Sequence, residues 1–381
     1  MEPAPVCLSV GIMAWNEQDS LPRTLDSLFR QTVFARLAAR GQRCEVICLA
    51  NGCKDNTVGV AAEVFTRMER GHPDRAGLSA RAVDIPQPGR NNAWNRFVHE
   101  LSAPESRFIC LMDADIIFFN PDTLYNLVAA LEADPEAAVA TGRQFKNILF
   151  RKNKSLRDRL SLATSDMTGT IAGRFSGQNY CLRAEVARRL YLPRDLGATD
   201  DGFLKAIICT DFLAHPPEAR RIALAPDAGH IFEPYLSAGE ILNNQKRQMI
   251  GQTSVHVILA YLRTLPPADR ADLAVTFRRE ETRDPDWLRQ RLDQHVRSRR
   301  FFWQLFPGIL GFRWRRLREL RGRRRLTLFP AALAGFIVTL LACWQAHRFL
   351  RGGGRTSYWP KAARGAWPAP PIGSNPAPGN P

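Results

Sequence analysis

Short apolar runs at residues 7–14, 45–50 and 108–112, with a candidate third strand at 81–85, alternate with amphipathic stretches at 20–34, 55–70 and 91–101, and no other property of the chain constrains its fold as tightly. The runs read as buried strands and the stretches as helices. The first helix is capped by Asp19 or Ser20 and carries Leu21, Leu25 and Leu28 on one face. Strands separated by helices of this length predict right-handed crossovers, hence a mostly parallel sheet covered on both faces. The pattern continues with helices at 121–133, 155–168, 200–209 and 240–265, a strand at 137–142, loop and strand over 169–182, and a charged helical region at 266–300. No internal repeat interrupts it.

The run 108–112 leads directly into Asp113-Ala114-Asp115. An extended chain points residues i and i+2 to the same side, and ligands of open α/β sheets collect at the carboxyl ends of strands. Both carboxylates can then face one cleft. A hard divalent cation commonly bridges a protein carboxylate to substrate phosphates, so the pair suits a nucleotide-activated donor. Taken alone, the same three residues also describe an ordinary solvated turn.

The formal charge of +16 over 381 residues would suit nucleic acid if it were spread evenly. It is not. Eight arginines and one glutamate fall between Arg313 and Arg325, directly before an uncharged apolar segment at 326–344. That segment approaches the roughly 20 residues needed to span a bilayer, and a basic flank fits attraction to anionic head groups better than a DNA-reading surface. A buried helix or a re-entrant hairpin has a similar sequence. The basic flank places the preceding residues on the cytoplasmic side of the inner membrane, and the opening Met1-Glu2-Pro3-Ala4-Pro5 has no secretion-signal pattern. The eight cysteines, with no Cys-x-x-Cys pair, read as buried free thiols. The expected division is a catalytic domain at 1–235 (halves 1–118 and 119–235), a helical region at 236–300, an interfacial and membrane segment at 301–350 and a disordered Gly/Pro-rich tail at 351–381.

Several motifs together carry a family likeness. Ser9-Val10-Gly11-Ile12-Met13-Ala14-Trp15-Asn16-Glu17 resembles the opening strand and Asn-Glu turn of family 2 glycosyltransferases. The stretch from Glu45 to Thr57, with Asn51-Gly52-Cys53-Lys54-Asp55-Asn56-Thr57, resembles their second strand and acidic turn. Asp113-Ala114-Asp115 falls where that family has its metal motif, and Thr199-Asp200-Asp201 is similar to its later Thr-Glu-Asp. The resemblance covers residues 6–255. It implies a GT-A fold, with a Rossmann-like nucleotide-binding half and an acceptor half, and inverting transfer of a sugar from a nucleotide donor with Mn2+ or Mg2+.

The chemistry asks for the same residue types. A base and ribose need polar groups at strand ends, where Ala14, Asn16, Glu17, Asn51 and Asp55 stand. Arg90 and Asn95 are candidates for holding the phosphates or nucleotide. Asp115 is the expected metal ligand, Asp113 addresses the ribose or the metal shell, and His230 is either a third ligand or a structural hydrogen bonder. Asp201 is the candidate general base, with Asp200 raising its pKa by like-charge proximity; alternatively both acids only begin a helix. Gly177-Gln178-Asn179-Tyr180 is expected on the acceptor side or in a tight turn.

Departures from the family pattern shape the rest. Met13 stands at a usual proline, and Ala50-Asn51 replaces an acidic pair, so uridine donors are permitted but not favoured. Residues 244–249 resemble the Gln-x-x-Arg-Trp of processive synthases but carry Gln248 and Met249 in place of Arg-Trp. A single transfer, to a lipid or lipid-linked acceptor, is the resulting expectation. Phe301-Phe302-Trp303 and Phe306 read as an interfacial anchor or a lid on the domain. The competing functions are a nucleotidyltransferase, which would show a Gly-rich phosphate loop after the first strand, and a non-catalytic binder of nucleotide sugars or acidic polymers. No nucleic-acid recognition motif is present.

Overall fold

Every residue from Cys7 to Ala14 is buried, which only a strand flanked by neighbours and covered on both faces allows. In the computed structural model, which describes residues 4–74, 77–155, 157–159, 161–162, 175–197, 199–306, 318 and 323–354, that strand, β1 (Val6–Ala14), is central. The chain continues through α1 (Leu21–Phe29), α2 (Val33–Ala38), β2 (Arg43–Asn51), α3 (Thr57–Gly71), β3 (Leu78–Ile85), α4 (Arg90–Arg96), β4 (Phe108–Asp113), β5 (Ile117–Phe118), α5 (Thr123–Ala133) and β6 (Val139–Lys146). Then follow β7 (Asn179–Arg183), α6 (Ala184–Arg189), α7 (Asp200–Cys209), β8 (Ile222–Phe232), α8 (Ala238–Leu262), α9 (Pro267–Ala271), α10 (Leu273–Arg283), α11 (Trp287–Arg297), α12 (Phe302–Leu305) and α13 (Arg323–Arg351).

The sheet order is β3-β2-β1-β4-β7-β6-β8-β5. Strands β3, β2, β1 and β4 run parallel, with Met13 opposite Asp113, Ala14 opposite Ala50 and Asn51 opposite Ile85. Their carboxyl ends form one rim. Beyond them the sheet turns mixed: β7 is antiparallel to β4 and β6, β5 is antiparallel to β8, and β6 runs parallel to β8. This is the expected GT-A type of sheet with helices on both faces. Alternate residues of the strands feed the two cores, Ile47 and Leu49 entering one and Val46 and Cys48 the other.

The helix expected over 20–34 is broken in two. Gln31 donates through Nε2 to the Asn120 carbonyl at 3.0 Å and accepts from the Leu124 amide at 3.0 Å, while the Thr32 amide donates to the Pro121 carbonyl at 2.9 Å. Those tertiary bonds divert backbone that helix propensity alone would have continued. Strand β8 is missing from the sequence reading altogether. Most of the helix expected at 155–168, the arginine-rich residues 307–317 and the tail beyond 354 lie outside the described residues.

The expected span at 326–344 is helical, as part of α13, but among the described residues no helix is long and apolar enough to cross a membrane. Its packing gives a physical reason. Thr339, in mid-segment, donates to Gln245 of α8 at 3.2 Å, and Lys246 of the same helix sits 4.5 Å from the ring centroid of Phe349. Ala342, Cys343, Ala346 and Leu350 join the core that also contains Met13 and Leu111. The helix is docked along the catalytic region on a polar neighbour.

Candidate active site

The parallel rim opens into a cavity of ≈ 1810 Å³. Asp113 and Asp115 reach it from the end of β4, and Asp200 and Asp201 from the first turn of α7. Residues nearly ninety positions apart therefore share one space. Glu17 lines it from the β1 side and Glu233 and Tyr235 from the chain after β8.

Arg90, at the start of α4, ties the acids together. Its Nη1 donates to Asp113 Oδ1 at 2.5 Å, its Nε to Asp200 Oδ2 at 3.0 Å and its Nη2 to the Gly177 carbonyl at 2.9 Å. A planar guanidinium is suited to such a fork. Burial works against the cation, yet Asp113 and Asp200 outweigh it and hold Arg90 well above the ordinary arginine value. Burial pushes the Asp113 carboxyl up, with Arg90 pulling against it and Asp200 adding to the rise. The Asp201 carboxyl is also raised, first by burial and then by Asp200, while the Gly202 amide, Arg90 and Arg247 oppose.

Two glycines set where Asp201 stands. Because β7 enters antiparallel beside the end of β4, the Asp113 amide donates to the Gln178 carbonyl at 2.9 Å, and Gly177 is carried against α7. A Cβ on Gly177 would lie 2.8 Å from the Asp201 Cβ. From behind, Gly251 of α8 meets Thr199, which precedes the two acids. A Cβ there would fall 1.4 Å from Thr199 Oγ1 and 2.6 Å from its Cβ.

The residues expected to hold the donor divide into two groups. Glu17, Asn51, Arg90, Asn95 and Asp113 line the cavity, whereas Ala14, Asn16 and Asp55 are not among its lining residues. Asp55 accepts from the Thr57 amide at 3.1 Å and the Gln18 amide at 3.2 Å, and Asn16, at a φ of 53°, accepts from the Lys54 amide at 2.6 Å. They brace the two turns against each other. Asn51 donates to the Ala14 carbonyl at 2.9 Å and accepts from the Gly89 amide at 3.1 Å, so the amide oxygen expected to read a base is engaged with backbone. Asn95 exchanges two bonds with Leu192, at 2.8 and 2.9 Å. Arg90, expected at the phosphates or the nucleotide, lines the cavity and is bonded there to two of the acids.

His230 is fully buried, is not among the cavity-lining residues, and its Nε2 lies 3.3 Å from Gln178 Oε1. Among the described residues no group of three or more His, Cys, Asp or Glu side chains is gathered as a metal cage. Asp113 and Asp115 fit a divalent cation in the other way open to it, one or two carboxylates completed by substrate phosphates and water. Gln144, Tyr235 and Arg247 also belong to the site wall, and the sequence reading assigned them no role in it; Gln178, read within 177–180 as acceptor side or tight turn, lines the same cavity. Arg247 lay within 244–249 and was read only for the motif that stretch lacks.

An open sheet whose parallel strands end at an acid-lined cavity is the ligand-binding arrangement of α/β proteins. Residues 9–188, just under half of the chain, match the model described as Glycosyl transferase family 2, and that region is of the family 2 glycosyltransferase type. No curated protein sequence matches it. Among solved structures it is similar to the mannosyltransferase PcManGT from Pyrobaculum calidifontis, in complex with GDP-Man and Mn2+, at 17% identity and a TM-score of 0.46, covering 91% of this chain and 85% of that one. It is also similar to S. aureus TarS 1–349, at 13% identity and a TM-score of 0.45, covering 91% and 92%. Glucosyl-3-phosphoglycerate synthase from Mycobacterium tuberculosis follows, at 16% identity, 0.42, 69% and 82%. Likeness at this level is too slight to transfer a donor, an acceptor or a metal.

Proposed function

We propose that the enzyme performs a metal-dependent, inverting, single transfer of a sugar to the hydroxyl of a lipid or lipid-linked acceptor at the cytoplasmic face of the inner membrane. The observation that carries the catalytic half is that Asp115 and Asp201 open into the same cavity from opposite chain segments. Asp115, with Asp113, would hold the divalent cation, Mn2+ or Mg2+, whose chemistry is to neutralise the departing diphosphate. Asp201 takes the proton from the acceptor hydroxyl. Its raised pKa makes it a stronger base than an ordinary aspartate, and Gly177, packed against its Cβ, fixes where it stands. Arg90 keeps Asp113 and Asp200 apart in charge and fixed in place.

The acceptor half is supported by the cavity's composition. Ile241, Gly335 and Val338 extend its wall from α8 to α13, giving an apolar approach beside the acids. Single transfer is supported by Gln248 and Met249 at the positions where processive synthases have Arg-Trp. Donor hydrolysis across a panel of labelled sugar nucleotides with Mn2+ or Mg2+ tests the reading. Asp115→Ala should abolish turnover while Glu63→Ala, on the exposed face of α3, leaves it intact; equal behaviour of the two variants would remove the assignment.

A further inference from the structure

Helix α13 turns two faces in different directions. Thr339, Ala342, Cys343, Ala346 and Leu350 are buried against the protein. Phe329, Leu333, Ile337, Leu341 and Trp344, spaced by four, four, four and three residues, are each between 44% and 51% exposed. At about 100° per residue that spacing is a single stripe, running about 22 Å at a rise of 1.5 Å per residue. A row of large apolar side chains in water is costly, and a contiguous one marks a contact surface.

Charge identifies the partner. The helix opens with Arg323, Arg324 and Arg325 and ends with Arg348 and Arg351, so the apolar stripe has cationic residues at both ends. Arg348 lies 5.0 Å over the Trp344 ring. Short α12, which packs against α13, presents a second exposed aromatic group at its start, Phe301 stacked on Trp303 at 4.4 Å, with Arg300 5.7 Å over Phe301. An arginine beside an amphipathic ring suits the phosphate level of a bilayer. A second copy of the chain would bring the same positive charges together.

We infer that the outer face of α13, with Phe301 and Trp303 beside it, lies flat on an anionic phospholipid surface. One edge of the helix then meets lipid while Gly335 and Val338 line the catalytic cavity, so an acceptor head group passes from the bilayer along α13 to Asp201. That last step rests on the lipid-acceptor reading above. The docking itself does not.

Co-sedimentation of the full chain with vesicles of phosphatidylglycerol and phosphatidylcholine, against phosphatidylcholine alone, is the test. Binding should favour the anionic vesicles by at least about tenfold and weaken with salt. Leu333→Glu combined with Ile337→Glu should lower that partition by at least about tenfold with donor hydrolysis kept, whereas Val275→Glu, on exposed α10 surface, should not. Should the double variant misfold, hydrogen exchange on the unaltered chain decides: residues 329–344 slow on adding anionic vesicles if the surface docks there. No vesicle binding by the unaltered chain, binding indifferent to the stripe, or a dimer that the stripe variants dissociate would each overturn the inference. Vesicle binding without turnover of any sugar nucleotide would leave it standing and remove the catalytic reading instead.

Discussion

The two walls of the catalytic cavity use polar side chains for different ends. On the side of β1, β2 and α4, the cavity-lining Asn51 and Asn95, and Asn16 and Asp55 in the adjoining turns, are bonded to backbone amides and carbonyls. Along β4 and α7, the acids Asp113 and Asp200 are bonded to a cationic side chain, and Asp201 accepts from the amide next to it at 2.7 Å. The first wall holds turns in shape and leaves main-chain groups and shape to meet a ligand. The second presents charge. Substitutions in the first should therefore register in stability and those in the second in turnover.

The largest departure should come from Asp201→Asn, with kcat falling about 10²–10⁴-fold and the unfolding midpoint unchanged; a large loss of stability would make the two walls alike. Arg90→Met removes the cation between two acids and should cost about 3 kcal/mol in denaturant unfolding, part of it recovered by a simultaneous Asp200→Asn. Gly251→Ala forces Thr199 off α8 and should cost about 1–3 kcal/mol, with kcat falling because Thr199 leads into Asp200 and Asp201. Asn95→Ala should cost about 1–2 kcal/mol for the Leu192 groups left unpaired, with kcat/KM within about twofold, which would mark it as structural. Smallest is a displacement along the pH axis. Lowering pH protonates the Asp201 base, and since its pKa is raised, activity should be lost at a pH above the ordinary aspartate value of 3.8; Asp201→Asn should abolish that limb.

The parallel half of the sheet was legible because buried parallel strands are continuous apolar runs, and 108–112 needed no tertiary information to be read. Strand β8 was not. It contains Pro226, Asp227 and Gly229, and between Thr141 and Arg143 its register advances from Leu224 to Gly229, with Asp227 at a φ of 54°. An irregularity of that kind looks like a turn in sequence. The meeting of Asp113, Asp115 and Asp201 in one cavity was anticipated from motif order. The duty of Arg90 was not, since its partners are Asp200 and Asp113 at separations of 110 and 23 residues. Polar residues at strand ends carry no mark in sequence of which neighbouring main chain they will bond, so the partners of Asn51 and Asn95 were not legible. For the segment 326–344 the alternatives stayed open in the same manner: hydropathy reports that a helix must be covered, not by what.

Leu350 shares an apolar cluster with Met13, and this has a bearing on biosynthesis. A ribosome delivers α8 well before α13, which packs on it, so the α8 face that receives α13 stays uncovered until that helix is made. The helix that seals this core is the one that carries the exposed stripe. Completion of the fold and the proposed docking on a lipid surface would thus both wait for the same late-emerging segment.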